Sequence, residues 1–495
     1  MSFLPLLTSQ LASFKTKHSK PVPQLGRATL HQGLVHQFGM SLWLTGLFCA
    51  GVLAQASAQT PTPSRPAAIS ASVGTSLAAP PATDSLQLTL AQAEELFTQH
   101  NLNLITAQLG ITEAQAQQVQ AVLRPNPVVY AELMPYNNGT AYSNNAPDAG
   151  QKRFLPMGAD NSEQVLQVQQ LLLLAGKRNK QLAIARTGTE IARDRFYDLI
   201  RTLRYQLRST YYNLYYNQQS ISVYDEEIGA LGQTVTLYQQ QFDKGNVPLK
   251  DLARLKAYLF NLTSERQQLI LQLTNAQADM SVLLNVNPVT LVRPIVSQAE
   301  IAGYNPNALL LNNLYALAEQ SRYDLKALTD QVQLEQQNLV LQKAIAVPDL
   351  TVQANYDRNG SFGQNYLGLG VGLPIPIANR NQGNIQIAKV RTQSSQQAVS
   401  AYNLQVRSEV QRAYAKTLQV DQLYRTFDTQ FNEAFARLIQ GVTENYKKQN
   451  LTVVEFLDFF DSYKNTQIQY RQLQNNRMQS IEELEFAIGK NPFAP

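Results

Sequence analysis

The chain has 495 residues, a formal net charge of +5, four histidines, one tryptophan and one cysteine. His18, His31, His36, Trp43 and Cys49 all fall within residues 1–58, together with Lys15, Lys17, Lys20 and Arg27 and no acid, so removing that segment as a leader lowers the charge to +1 and leaves His100 as the sole histidine. Such a chain has no thiolate nucleophile, no disulfide, no zinc site built from the usual Cys and His ligands, and no basic stripe for nucleic acid.

The leader itself is legible. Residues 41–54, SLWLTGLFCAGVLA, form a short apolar run followed by Ala56-Ser57-Ala58, the small-x-small pattern that signal peptidase cuts, so the mature chain is expected to begin near Gln59. The region before the run is long, and Met40 is an alternative start that would leave no basic residues ahead of it. Leu47 and Phe48 precede Cys49 where an acylated cysteine needs small residues. Residues 59–87, rich in Pro, Ala, Ser and Thr without apolar periodicity, read as a flexible tail.

Thr89 with Gln92 gives a capping-box start to a helix expected to run to about Val122, where Arg124-Pro125-Asn126-Pro127 stops it. His100, between Gln99 and Asn101 in this stretch, is the only residue on which a Ser/His/Asp arrangement could be built, and a solvated surface histidine is its commoner fate. Val128 to Met134 and Val165 to Leu174 read as strands around a loop at 135–164. From Lys177 to Phe242 there is no proline, and a continuous helix of that length spans about 100 Å. Glycine and charge are too frequent in it for a lipid-embedded span. The segment Asp243 to Pro248 reverses the chain, and a second helix returns to Asn287-Pro288.

The same plan then recurs. Leu325 and Pro348 fall on Leu104 and Pro127 at an offset of 221; Arg407 and Tyr414 fall on Arg204 and Tyr211 at 203; Tyr446, Asn450, Asn491 and Pro492 fall on Phe242, Asn246, Asn287 and Pro288 at 204. This is an internal duplication, with the length difference absorbed between the strands of each copy. Repeats of 88–288 and 306–492 are therefore expected, joined by a linker at 289–305. In the second copy Asn305-Pro306 reads as N-cap and first helical residue. LTVQANY at 350–356 and residues 366–373 alternate as strands around a turn centred on Asn359-Gly360. Leu367, Leu369, Val371 and Leu373 lie on one face, with Gly368, Gly370 and Gly372 on the other. Helices are expected from Asn381 to about Tyr446 and from Glu455 to Ile488, a long antiparallel pair of coiled-coil type around a turn at Lys447 to Val453.

Strands of about 8 to 11 residues with one apolar face suit a membrane barrel, with a soluble sandwich as the alternative. Four strands leave open edges whose backbone groups lipid cannot satisfy, so a barrel must be shared between copies of the chain; two would give eight strands and three would give twelve.

The duplicated helix-strand-strand-helix plan, Pro127 and Pro348, AGKRNKQLAIA at 175–185, PIPIANRNQGNIQIAKV at 374–390 and the tips FDKGNVPLKDL and YKKQNLTVVEFLD resemble the TolC family of outer-membrane efflux proteins over essentially all of 88–492, nearest to its heavy-metal and cation efflux branch. The resemblance implies a mainly α chain with a membrane β-barrel. A homotrimer would place four strands per chain in a shared twelve-stranded barrel, continued by long coiled-coil helices that form a periplasmic tunnel. It further implies a passive exit conduit, not an enzyme, set in outer-membrane lipid and working with a periplasmic adaptor and an inner-membrane pump. No cofactor is implied, and the scattered Met134, Met157, Met280 and Met478 form no thioether-rich metal site. The alternative class is an extracytoplasmic coiled-coil scaffold or adaptor without a channel.

By the same resemblance, Glu455 and Asp458 line a periplasmic gate, and their i, i+3 spacing does place both on one side of a helix. A closing network would involve Asp251 and Tyr446, with Leu451 standing where the family has an arginine. The tips Gly245, Asn246, Val247 and Pro248, and Asn450, Leu451, Thr452 and Val453, would dock the adaptor, with Val247, Leu451 and Val453 as exposed apolar contacts.

Overall fold

The computed structural model describes residues 85–493 apart from 134–135, 139–151, 155–163, 298–300, 302, 361–362, 428–436, 439–440, 447 and 449. The leader, most of the tail, Met134, Met157 and part of the first inter-strand loop lie outside the described residues.

Strand β1 (Ser85–Thr89) starts inside the segment read as tail and leads into α1 (Leu90–His100), opened by the expected capping box of Thr89 and Gln92. The helix then breaks, contrary to the single helix expected to Val122, and α2 runs over Leu102–Val122. Asn101 causes the break: its side-chain oxygen caps the backbone N–H groups of Asn103 and Leu104, and its amide nitrogen donates to the carbonyl of Leu283, 2.9 Å away. Strands β2 (Val128–Leu133), the short pair β3 (Tyr136–Asn138) and β4 (Lys152–Phe154), and β5 (Gln164–Leu172) follow. Then come α3 (Lys177–Asp243, 67 residues), α4 (Leu249–Leu284, 36 residues) and β6 (Leu291–Ile295), which pairs in parallel with β1.

In the second copy Asn305-Pro306 opens only a short 3₁₀ turn over Pro306–Ala308, because Leu309 is already extended. Helix α5 (Leu311–Ser321) is followed, after a break at Arg322, by α6 (Tyr323–Ile345). Arg322 stands at the position of Asn101 in the duplication and does the same work by other means, donating to the carbonyl of Ala487 at 3.1 Å, which itself corresponds to Leu283. β7 (Leu350–Gly360) and β8 (Gly363–Gly372) pair as far as Gly360 with Gly363, so the reversal lies beyond Asn359-Gly360 rather than on it. Helix α7 covers Gln382–Thr426 and stops at an extended Phe427, short of the expected Tyr446; among the described residues that follow, 437–438 and 441–446 are helical, and α8 covers Val453–Ile488. Phe427 is held out of the helix by stacking on Tyr470, with centroids 4.4 Å apart.

The sheet order is β2-β5-β7-β8, antiparallel throughout, with β2 and β8 as open edges. Its helical continuation keeps that order, since α3 packs on α2 and α6, and α6 packs on α7. Farther from the strands α3 packs on α4 and α8. The duplication is visible in the core. Leu203, Leu207 and Tyr211 are buried in the first copy and Val406 and Val410 in the second, and Tyr211 and Tyr414 donate to the carbonyls of Leu88, Ile295 and Leu309. No helix among the described residues is long and apolar enough to cross a membrane.

Cross-strand register puts Leu166, Val168, Val352, Tyr356, Leu367, Leu369 and Val371 on one face, all substantially exposed. The opposite face carries Gln167, Gln353, Asn355, Gly368 and Gly370, with Gln167 donating to Gln353 at 2.9 Å. The glycines have a steric reason to be there. A Cβ on Gly368 would lie 2.6 Å from the Asn355 side-chain oxygen, and one on Gly370 the same distance from the Gln353 amide nitrogen, so the amides lie folded across bare backbone.

Candidate functional site

The helical ends farthest from the strands are built twice from the same turn. At the end of α3 the N–H of Gly245 donates to the carbonyl of Phe242 at 2.8 Å and that of Asn246 to Gln241 at 2.9 Å, the Schellman pattern, with Gly245 at φ 78° where a side chain would be strained. The second tip repeats the longer bond, Asn450 donating to Asn445 at 3.0 Å. Pro248 then opens α4, and Thr452 opens α8 through a capping box in which Glu455 accepts from the Thr452 backbone at 2.9 Å and hydroxyl at 2.8 Å. Those two hydrogen bonds hold the Glu455 carboxyl below the usual glutamate range. A capping threonine contributes about 1 kcal/mol to its helix, so Thr452 and Glu455 fix where α8 begins.

Around this turn the sequence-derived residues separate into two groups. Glu455 and Asp458 are exposed on one side of α8, while Phe456 and Phe460 on the other side are buried with Tyr446, Leu255 and Leu262. Val453 belongs with that buried group, being 5 % exposed, and so cannot offer the exposed contact expected of it; the neighbouring Val454 is exposed instead. The reason is rotational: Val453, Phe456 and Phe460 share the face that α8 turns to the core. Val247 and Leu451 are half-buried, and Gly245, Asn246, Pro248, Asn450 and Thr452 are exposed.

Tyr446 is buried between two rings, Tyr238 at 5.3 Å and Phe456 at 4.1 Å between centroids, both nearly parallel to it. Its hydroxyl has no hydrogen-bond partner among the described residues, and burial first, then Tyr238, pushes its pKa well above the usual tyrosine value. Within the chain Tyr446 thus makes no hydrogen bond to Asp251. Asp251 instead lines a cleft of about 500 Å³ with Tyr238, Lys250, Arg254, Leu451, Thr452 and Val454. Arg254 is the residue that sequence reasoning missed. It lines the same cleft, one turn along from Asp251 and at the duplicated position of Asp458.

Above the tip, three helices meet on charge. Lys464 of α8 is buried and pairs with Glu265 of α4 at 3.0 Å and Asp461 at 3.1 Å; Tyr224 donates to Glu265 at 3.0 Å and Tyr258 to Asp461 at 3.1 Å. Glu227 of α3 shares this layer, one of its buried oxygens having no partner among the described residues, and burial, opposed by Lys464 and reinforced by Glu226 and Asp461, pushes its pKa up to about 8. A carboxyl raised above its unfolded value of 4.5 contributes stability that is full below that value and lost as pH rises through about 8. The thermal midpoint of the purified protein is thus expected to fall between pH 5 and pH 8 (range set by that shift), and Glu227→Gln is expected to flatten this component of the fall. An unchanged pH profile in the variant would show that Glu227 is not the titrating group.

Residues 314–490 match the family model described as outer membrane efflux protein. No curated protein matches the chain. Among solved structures the chain is similar to a membrane protein from Pseudomonas aeruginosa (TM-score 0.66, 14 % identity, 81 % of this chain and 92 % of that one). It is also similar to the CmeC outer membrane channel of Campylobacter jejuni (TM-score 0.65, 15 % identity, 81 % and 85 %) and to CusC (TM-score 0.63, 16 % identity, 81 % and 92 %). At such identities the likeness establishes the fold, and it spans both repeats. The residues that carry the family match are one half of an internal duplication whose other half repeats its helix breaks, tyrosine anchors and tip turn, so the second repeat matches the outer membrane efflux protein family and the first shares its architecture.

Proposed function

We propose that the chain is the outer-membrane exit channel of a tripartite efflux system, a passive conduit for solutes delivered by an inner-membrane pump through a periplasmic adaptor. The observation that carries this reading is the four-stranded sheet with one largely apolar, exposed face, interrupted at Gln170, and two open edges, set on helices of which none among the described residues is long and apolar enough to cross a membrane. An open edge is unsatisfied in a bilayer, so the sheet needs further copies of itself; three chains closing a twelve-stranded barrel accord with the family. A free-standing coiled-coil scaffold would explain the helices and leave the apolar sheet face without a purpose. Deleting the gene is expected to raise susceptibility to some members of a panel of metals, dyes and antibiotics, with complementation restoring resistance. A deletion strain indistinguishable from its parent across the panel and in solute retention would count against an efflux role.

Glu455 and Asp458 are proposed as two acidic rings at the periplasmic constriction, and the tips as the adaptor-docking end. Support comes from their exposure on one side of α8, away from the buried aromatic column. Asp251 and Tyr446 are proposed to act in closure through packing: Tyr446 as the ring that holds 441–446 against α8, and Asp251 through the cleft it shares with Arg254 and Thr452. Charged rings select by sign, so replacing Glu455 by Gln and Asp458 by Asn together is expected to lower cation preference and block by multivalent cations in single-channel recordings. If neither property moves, these carboxylates do not line the narrowest point.

A further inference from the structure

A cleft of about 500 Å³ opens where α3, the first turn of α6 and the end of α8 meet. Two stacked aromatic pairs flank it, Tyr197 with Tyr323 at 4.8 Å and Tyr205 with Phe486 at 4.9 Å between centroids. Of the charged groups at its base, Arg201 is fully engaged: it pairs with Asp198 at 2.6 Å and Asp324 at 2.8 Å and lies 4.2 Å from the centre of the Phe486 ring. Arg208 is engaged too, by Glu94, by Glu485 at 2.8 Å and by one oxygen of Glu482 at 3.2 Å. The other Glu482 oxygen, Oε1, is buried with no partner among the described residues, on a residue that lines the cleft and is 2 % exposed. A buried carboxyl oxygen without a donor carries the full desolvation cost of that group, and so calls for an occupant. Burial, opposed by Arg208 and reinforced by Glu485 and Glu94, pushes the Glu482 pKa up to about 7, the mark of a carboxyl short of positive charge.

The fold does not require these side chains. At the duplicated positions Tyr197, Arg201 and Tyr205 become Ser400, Leu404 and Ser408, and Glu482 and Glu485 become Ala278 and Ser281. Each helix is thus formed in the other copy without the aromatic pairs and without the acids. At its rim the cleft carries the opposite charge. Arg204 and Lys490 line it, both exposed and neither ion-paired among the described residues. Arg204 stands one turn, about 6 Å, from Arg208 and therefore from the level of Glu482. Because α8 runs back along α3, Lys490 lies on the same side of Glu482 as Arg204.

A simple cation would meet Arg204 and Lys490 on entry, and a simple anion would leave Glu482 unpaired. Aromatic faces favour a cation, and the free carboxyl oxygen accepts a charged donor. We infer that the cleft binds a small zwitterion, its protonated amine on Glu482 Oε1 between the aromatic pairs and its carboxylate on Arg204 and Lys490, the two groups about 6 Å apart. The site lies within one chain, and the inference does not rest on the channel reading. The full-length protein purified in detergent is titrated calorimetrically with γ-aminobutyrate, whose extended form has this spacing, and with butylamine and butyrate as single-charge controls. γ-Aminobutyrate is expected to bind once per chain at millimolar concentration or below, and each control roughly tenfold or more weakly, since each leaves one charge of the site unmatched. Arg204→Ala disturbs no hydrogen bond or ion pair and is expected to reduce γ-aminobutyrate to the level of butylamine, with butylamine itself no weaker. Glu482→Gln is expected to abolish binding of both amines, the thermal midpoint of the protein reporting whether the Arg208 cluster survives. Should that variant fail to fold, Arg204→Ala and the two controls decide alone. Absence of γ-aminobutyrate binding to the unaltered chain, affinity matched by either control, or unaltered affinity in either folded variant would overturn the inference.

Discussion

Leu369→Arg is expected to remove the protein from the outer membrane almost completely, whereas Thr351→Arg should leave most of it in place. Leu369 is 84 % exposed at the middle of the apolar face of β8, opposite Ala354. Thr351 lies opposite Gly372 on the amide and glycine face. An arginine on the lipid side of a barrel near the membrane midplane costs roughly 2–4 kcal/mol in each chain, and a ring of several chains multiplies the cost, while an arginine on the other side can remain in water. Membrane fractionation of the two variants reads the difference directly. Equal yields would mean that the apolar face is not the one that meets lipid.

The second large effect is expected at Arg477. Its side chain is 1 % exposed, pairs at 2.8 Å with an Asp421 that is fully buried, donates to the carbonyls of Ile301 and Tyr304, and lies 4.6 Å from the centre of the Tyr424 ring. One guanidinium thus ties α7, α8 and the linker between the repeats. Arg477→Met leaves Asp421 with Arg425 alone and removes the side-chain donor of the Ile301 carbonyl, while Tyr304 keeps Arg425 at 3.1 Å, and removing one partner of a buried pair typically costs about 3–5 kcal/mol. The oligomer should dissociate at a markedly lower temperature. The double variant Arg477→Met with Asp421→Leu should recover part of the loss, because no charge is then stranded. A double variant as unstable as the single would show that the carbonyl contacts to the linker, rather than the ion pair, carry the effect.

Much of this architecture could be read before any coordinates. Helix α3 was legible because no proline interrupts it, and the strand faces because alternation is strict from Leu350 to Tyr356 and from Tyr366 to Leu373. The helix breaks were not. Asn101 and Arg322 carry no glycine or proline beside them, and each break coincides with a side-chain bond to a carbonyl of a distant helix, Leu283 or Ala487, that local sequence does not show. The early end of α7 had no glycine or proline to announce it, and it depends on the ring of Tyr470. At the tip, the match to Glu455 and Asp458 identified the exposed side of α8, but the burial of Val453 depended on how far that helix is turned. Arg254 has no basic counterpart in the second copy, where Asp458 stands level with it, so the repeat pattern did not mark it.

The claim that this chain forms a passive exit channel is tested most directly by purifying the full-length oligomer in detergent, reconstituting it into planar bilayers and recording current under an applied voltage. Discrete, reproducible conductance steps are expected, with cations carrying more current than anions. A folded, membrane-inserted oligomer that passes no ionic current under conditions that open related channels, and that remains silent when the tip is loosened by Tyr446→Ala, would contradict the account.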